Sequence, residues 1–225
     1  DGSVRIIYDG TTAHKNGESS TDRQIGTSAF NDGYSSEDKV GYMYGTSYAN
    51  MNDSLIKKYI DDWYKVNIFN TLYEQYLADN IFCSDRLVIQ ENQGRAGSSS
   101  DIRYRWWYGP WDGAGYGNAS MKLVCPQQND AFTANDTTYG NGSLKYPIGI
   151  LSSDETVLSG GWNVNNVNYY LYSGQNWWVS STEEAGEAYV YNYAVNSNGN
   201  VDYVNIVNST YGVRPVINLK MKALR

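Results

Sequence analysis

Few side chains in this chain could perform acid–base or nucleophilic chemistry. Two carboxylate pairs stand out, Asp154–Glu155 and Glu183–Glu184. A glycosidase needs two carboxyl groups facing each other across a sugar. Chain neighbours do not face one another, so neither pair reads as an acid and its base. The only histidine, His14, lies in a polar loop beside Lys15 and is expected to be exposed. A Ser–His or Cys–His nucleophile would depend on it alone. Cys83 and Cys125 fit no zinc spacing, and with a single histidine no structural metal site is expected. No catalytic residue and no cofactor is assigned, with calcium the one ion left open. The two cysteines are instead expected to form one disulfide, and so to mark an oxidising compartment. Two buried thiols are the alternative.

The segment "YVYNYAVNSNGNVDYVNIVNSTY", residues 189–211, carries a different chemistry. Nearly every other residue is Asn or Tyr, Lys and Arg are absent, and Asp202 is the only acid. Rigid phenol rings supply contact area at low entropic cost, and amides supply adaptable hydrogen bonds. That is the chemistry of recognition rather than catalysis. Alternate side chains of a strand share a face. Val190, Val195, Val201 and Val204 are expected to point inward. Tyr189, Tyr191, Tyr193, Asn196, Asn198, Asn200, Asp202, Tyr203, Asn205, Asn208 and Tyr211 make up the candidate ligand-binding set. Trp177 and Trp178 join it, one expected in the core and the other exposed. A single bulge would flip this register.

Composition sets limits on partners. The chain has 225 residues and a formal net charge of −7, with pI near 4.7. Nucleic acid is not an expected partner, because phosphate binding needs a clustered cationic face. Between Tyr146 and Val213 there is no Lys or Arg, while Asp154, Glu155, Glu183, Glu184, Glu187 and Asp202 occur there. A solvated acidic surface is the simplest reading of these. The 22 Tyr outnumber the 4 Phe, which suits half-exposed strands and contact surfaces. No apolar run reaches membrane-spanning length. The chain begins with Asp1 rather than Met, so any membrane or pilus anchor is expected to lie in a segment before it.

The elements that must position these residues are legible in outline. One domain over 1–225 is expected, with an N-terminal strand and loops over 1–50, a helical part over 52–79 and a β-rich part over 144–225. "SVRIIYDG" reads as a strand entering a turn, and "GYMYG" as a short strand. "NDSLIKKYIDDWYKVNIF" reads as a helix capped by Asn52 or Asp53. Its apolar face is Leu55, Ile56, Tyr59, Ile60, Trp63 and Tyr64, with Lys57, Lys58, Asp61, Asp62 and Lys65 opposite. A second helix is expected over 71–79. Residues 87–117 read as loop, with Trp106, Trp107 and Trp111 pinning it to the body. "SSDETVLSGG" reads as a short helix with a Ser152–Glu155 capping box and a stop at Gly160. "NYYLYSG", "NWWVSS", "EAYVYNYAVN", "VDYVNIVN" and "GVRPVINL" read as strands. Asn198-Gly199 marks a hairpin turn.

In order, "YPIGILSSDETVLSGG", "NYYLYSGQNWWVSS", "AYVYNYAVNSNGNV" and "YGVRPVINL" resemble the C-terminal domain of pilin-like and secreted surface proteins of gut Firmicutes. The residues carrying the likeness include Asp154, Glu155, Trp177, Trp178, Ser180, Gly199 and the run Gly212 to Ile217. The N-terminal "VRIIYDG", the helix "IKKYIDDWY" and the Cys83 and Cys125 pair also look like that family. The resemblance implies an α+β, C-type-lectin-like fold. Two helices would pack on mainly antiparallel strands, the structure would be loop-rich, and the termini would be close. It also implies an extracellular, non-enzymatic adhesin or receptor-like domain at the cell surface or on a pilus. Its partner would be a protein or glycan on another cell or phage surface. The same fold serves the target proteins of diversity-generating retroelements, which rewrite adenines. Asn codons are adenine-rich, and one first-base change yields Tyr or Asp. An Asn/Tyr-dense hairpin before a constant "GVRPVI" end is what such editing would leave, though plain surface composition of an AT-rich gene would look similar.

The chain departs from related folds at telling places. The Glu-Pro-Asn and Trp-Asn-Asp motifs of calcium-dependent sugar binding are absent, and "WNVNN" is only an echo. Cys83 and Cys125 lie well upstream of the final strands, so the active cysteine pair of formylglycine-generating enzymes does not carry over. A structural pilus subunit without a specific ligand is the second reading, and a carbohydrate-active enzyme the third.

Overall fold

The computed structural model describes residues 2–33, 39–91, 102–104, 121–186 and 189–224. In chain order the first strands are β1 (Val4–Ile7), β2 (Thr27–Ala29), β3 (Met43–Tyr44), β4 (Asn52–Asp53), β5 (Phe82–Cys83), β6 (Gln90–Glu91) and β7 (Ile102–Arg103). They are followed by β8 (Ala131–Phe132), β9 (Ile148–Gly149), β10 (Trp177–Ala185), β11 (Val190–Val195), β12 (Val201–Ile206), β13 (Thr210–Gly212) and β14 (Val216–Leu219). Helix α1 spans Leu55–Asn67 and helix α2 spans Ser153–Leu158. The architecture is α+β and dominated by sheet.

All nine residues of β10 are buried, including the polar run Ser180 to Glu184. This strand is the spine of a seven-stranded sheet ordered β12-β11-β10-β13-β2, with β7 also pairing β10 and β6 pairing β7. Pairing is antiparallel except between β10 and β13. A second sheet, β1-β14-β9, joins the first strand of the chain to its last. Helix α1 packs on β2 and β9, and α2 on β10 and β12. One apolar cluster links them, from Phe30 and Ile56 to Trp178, Val195 and Val216.

Several expected elements shift, each for a local reason. Ser54 caps α1, its hydroxyl accepting from the Lys57 N–H at 3.3 Å. Asn52 and Asp53 are instead drawn into β4 by pairing with β3. Lys57, expected on the wet face, is buried between Asp53 and Asp61, at 3.2 and 2.7 Å. Tyr59, expected in the core stripe, is 36% exposed. The second helix is only a 3-10 turn over Glu74–Tyr76, because Leu77 turns extended to bridge Leu219 and the Ala78 N–H bonds to the Asn218 carbonyl. "NYYLYSG" is a turn rather than a strand: Tyr172 N–H bonds to the Tyr169 carbonyl, and Gly174 sits at φ +69. "GVRPVINL" divides into β13 and β14 around Arg214-Pro215, since proline has no N–H for a ladder.

Three of the six C-terminal acids expected on a solvated surface are not there. Asp154, Glu183 and Glu184 are buried, at 4, 0 and 3% exposure. The capping box of α2 forms as expected, with the Ser152 hydroxyl on Glu155 N–H and the Glu155 carboxylate on Ser152 N–H. The disulfide joins Cys83 to Cys125, with Cα atoms 5.5 Å apart. Trp106, Trp107, Trp111, Glu187 and most of 87–117 lie outside the described residues. Among the described residues no helix is long and apolar enough to cross a membrane.

Candidate binding face

The Asn/Tyr segment folds as the expected hairpin. β11 and β12 pair antiparallel and turn at Asn198-Gly199, where Asn196 N–H bonds to the Asn200 carbonyl at 2.8 Å. Gly199 sits at φ +80, and a Cβ there would lie 2.0 Å from the Asn166 carbonyl oxygen. The turn is therefore packed against the loop over 162–168. Val190, Val195 and Val201 are fully buried as expected, though not by alternation alone: Val190 and Val195 lie on opposite faces of β11, which is covered on both sides. The side chains of Tyr203 and Val204 lie outside the described set.

Much of the amide content works inside the protein. Asn192 is fully buried, donating to the Val179 carbonyl at 2.7 Å while its Oδ1 accepts from the Thr182 hydroxyl at 3.1 Å. Asn205 is buried and donates to the Asp202 carbonyl at 3.0 Å. Asn198 is exposed, yet its amide donates to Asn165 Oδ1 at 2.7 Å. Ser197 N–H donates to Asn176 Oδ1 at 2.7 Å. A buried polar group without a partner costs about 1–3 kcal/mol, so these amides are matched rather than free. Sequence reasoning missed the partner loop, although its own Asn density at 163, 165, 166 and 168 was visible.

Trp177 and Trp178 leave the candidate set, because both are fully buried. The expectation that one would be exposed fails because β10 is covered on both faces. Trp177 lies beneath the Arg214 guanidinium, 4.9 Å from ring centre. Trp178 packs between Phe30 and Tyr211, and its Nε1 donates to the Ser28 carbonyl at 2.9 Å. Tyr193 and Asn205 also leave the set on burial. Tyr193 shares its face of β11 with Val195, and β11 is covered on both faces from Asn192 to Val195; the extra residues of the bulges lie in β10 and β12.

What remains divides into two patches. At the turn end, Asn196 donates to Asp202 Oδ2 at 2.9 Å; Tyr211, on β13 across β10 from the hairpin, stands half-buried on Trp178, 4.6 Å between rings. Burial, with the Asp202 charge adding to it, holds the Tyr211 phenol above its ordinary pKa. At the other end, Tyr189 is 44% exposed and lies 5.7 Å from the Tyr191 ring, with exposed Asn208 following β12. Tyr191 pairs with Ile206 and Ala194 with Asp202, so the patches sit about 10 Å apart along β11. Asn200 is half-buried beside the turn, its backbone N–H bonded to Asn198 Oδ1.

Two clefts lie away from this face, each of about 570 Å³, and the Arg5–Glu155 ion pair lines both. Arg5 also donates to the Ile81 carbonyl, and burial pushes its pKa down to about 10. Both Glu155 oxygens are engaged, one by Arg5 and one by the α2 cap. His14 is not the exposed residue expected. Its ring is 4% exposed, with Nδ1 3.0 Å from Glu18 and Nε2 2.9 Å from Asp22. The Glu18 hydrogen bond is the main cause that raises its pKa, with Asp22 adding to it. Among the described residues no group of three or more His, Cys, Asp or Glu is placed to hold a metal ion. Compared with protein-family models, characterised sequences and solved structures, the chain finds no match.

Proposed function

We propose that this chain is an extracellular, non-enzymatic binding domain of C-type-lectin-like fold, carried by a bacterial surface or pilin-like protein. The observation that carries the reading is the turn-end patch. An amide and a carboxylate (Asn196 and Asp202) are bonded to each other there, and the Asp202 charge acts on the phenol of Tyr211 across the fully buried β10. Preorganised side chains lose little entropy on binding. A ring face, an amide and a carboxylate suit a sugar's apolar face and hydroxyls, so a glycan on another cell or phage surface is the favoured ligand, ahead of a protein. The pairing of β1 with β14 fits the close termini the resemblance implies, and the disulfide fits an oxidising compartment. If a retroelement diversifies the gene, the exposed positions of the hairpin are where change is tolerated.

A structural pilus subunit stays as a second reading, because Asn192, Asn198 and Asn205 serve internal bonds. A glycan array probed with the wild-type chain and with Asp202→Ala separates the two. The binding reading expects one or more glycans held by wild type and at least tenfold weaker retention by the variant, with its thermal midpoint unchanged. Retention that is equal for both, or absent for wild type, overturns it.

A further inference from the structure

The second cleft is lined by Val4, Arg5, Ile6 and Ile7, four consecutive residues of β1. Successive side chains of a strand point to opposite faces. One cleft can meet all four only if it runs along the strand's edge. β1 is an edge strand, and among the described residues no other strand pairs with its far side. The hydrogen-bond parity says which backbone groups face the cleft. Tyr8 N–H bonds to the Pro215 carbonyl, and Val4 and Ile6 stand in the same alternation opposite Leu219 and Ile217. Bonded and non-bonded positions alternate along an antiparallel pair. The N–H and C=O groups of Arg5 and Ile7 therefore point away from β14 and into the cleft.

Exposed edges are ordinarily blunted by shortness, charge, Pro or a bulge. β1 is short and has no Lys, Pro or bulge within Val4–Ile7, and it leaves Val4 and Ile6 at 37 and 39% exposure. The charge of Arg5 is turned inward onto Glu155. The cleft is two-sided in chemistry: Val4, Ile6, Tyr170 and Leu171 offer apolar surface, while Arg5–Glu155 and Asp9–Arg23 are charged pairs. It is also walled. The loop at 14–17 meets the loop at 167–168, where Asn16 donates to the Asn168 carbonyl at 3.2 Å. A recessed edge of this kind admits one extended segment. It does not admit the equally recessed edge of a second copy.

We propose that this cleft is a second binding site, separate from the hairpin face, which takes an extended peptide as an added strand along β1. Four residues of β1 offer a run of about 13 Å. The peptide alternates apolar side chains, laid on Val4 and Ile6, with polar ones over the charged pairs. Its backbone bonds to Arg5 and Ile7 would supply affinity, and the alternation specificity.

The test uses the intact chain and a panel of acetylated heptapeptides alternating threonine with valine, isoleucine, tyrosine or phenylalanine. At least one member is expected to bind saturably, and the Arg5 and Ile7 amides to gain protection from hydrogen exchange. The same peptide N-methylated at alternate residues should bind at least tenfold more weakly, since it keeps its side chains but loses its donors. Ile6→Lys, at a position exposed enough to keep the fold, should weaken binding at least tenfold, while Asp202→Ala should not change it. No saturable binding by any member, equal binding of the N-methylated peptide, or protection confined to 189–211 would each overturn the proposal.

Discussion

Removing Asp130 would leave the Arg86 guanidinium buried without its carboxylate. Both side chains are 1% exposed, and Arg86 Nε and Nη2 both bond to Asp130 Oδ1. Breaking such a pair from one side costs about 3–5 kcal/mol, so Asp130→Ala should lose that much in a urea titration, and a loss under about 1 kcal/mol would refute the role given to this pair. His14 gives a pH signature of known sign. Its folded pKa is raised, so its contribution is fully present below its ordinary value of about 6.5 and lost as pH rises through the folded value. Glu18 is lowered chiefly by the Lys15 N–H, and Asp22 chiefly by the Ser20 hydroxyl. Their contributions are present above the ordinary carboxylate range and lost as pH falls through the depressed values. The thermal midpoint of wild type should therefore fall between pH 6 and pH 9 by more than that of His14→Gln, and parallel profiles would contradict this. Sequence variation has a residue-level pattern too. If the gene is diversified, resequencing a population should find changes at Tyr189, Asn196, Asp202 and Asn208, with Asn192 and Asn205 constant. Equal change at the buried amides would count against a displayed face.

At the scale of elements, Gly199 and the α2 cap are the most exacting positions. Gly199→Ala meets both a positive φ and the Asn166 carbonyl. It should destabilise by more than about 1 kcal/mol and detach the turn from the loop at 162–168, visible as faster amide exchange at Asn166 and Val201. Ser152→Ala removes one half of a capping box, for about 1 kcal/mol. These two features were legible in the sequence because their causes are local: an Asn-Gly turn, and a serine three residues before a glutamate. The same holds for α1, whose apolar stripe gave it away while its cap was misplaced by pairing that only tertiary structure reveals. The burial of Glu183, Glu184 and both tryptophans was not legible. It depends on β10 lying at the centre of a sheet assembled from distant segments, which no local pattern encodes. "NYYLYSG" failed because its strand-like alternation is overridden by a turn, closed by the Tyr172 N–H on the Tyr169 carbonyl.

At the scale of the molecule, the sheet β1-β14-β9 and the disulfide tie distant parts of the chain together. Reducing a bond that closes a 42-residue separation should cost about 4 kcal/mol by loop entropy. A Cys83→Ser, Cys125→Ser double variant should show that loss in denaturant, and an unchanged midpoint would deny the bond a structural role. The α+β class was legible from the mix of one periodic helix with many short alternating runs. The break of the final run at Arg214-Pro215 had a local sign in its proline, but the assignment of its halves to different sheets did not, because Thr210–Gly212 pairs with β2 and Val216–Leu219 with β1 and β9, all distant in sequence. Chain-wide hydrogen exchange with the glycan that the array retains tests the central claim most directly. Binding at the hairpin face predicts added protection at 196–202 and 209–211, with β1 unchanged. Protection anywhere else, or none at saturating glycan, would contradict a binding face built on this hairpin.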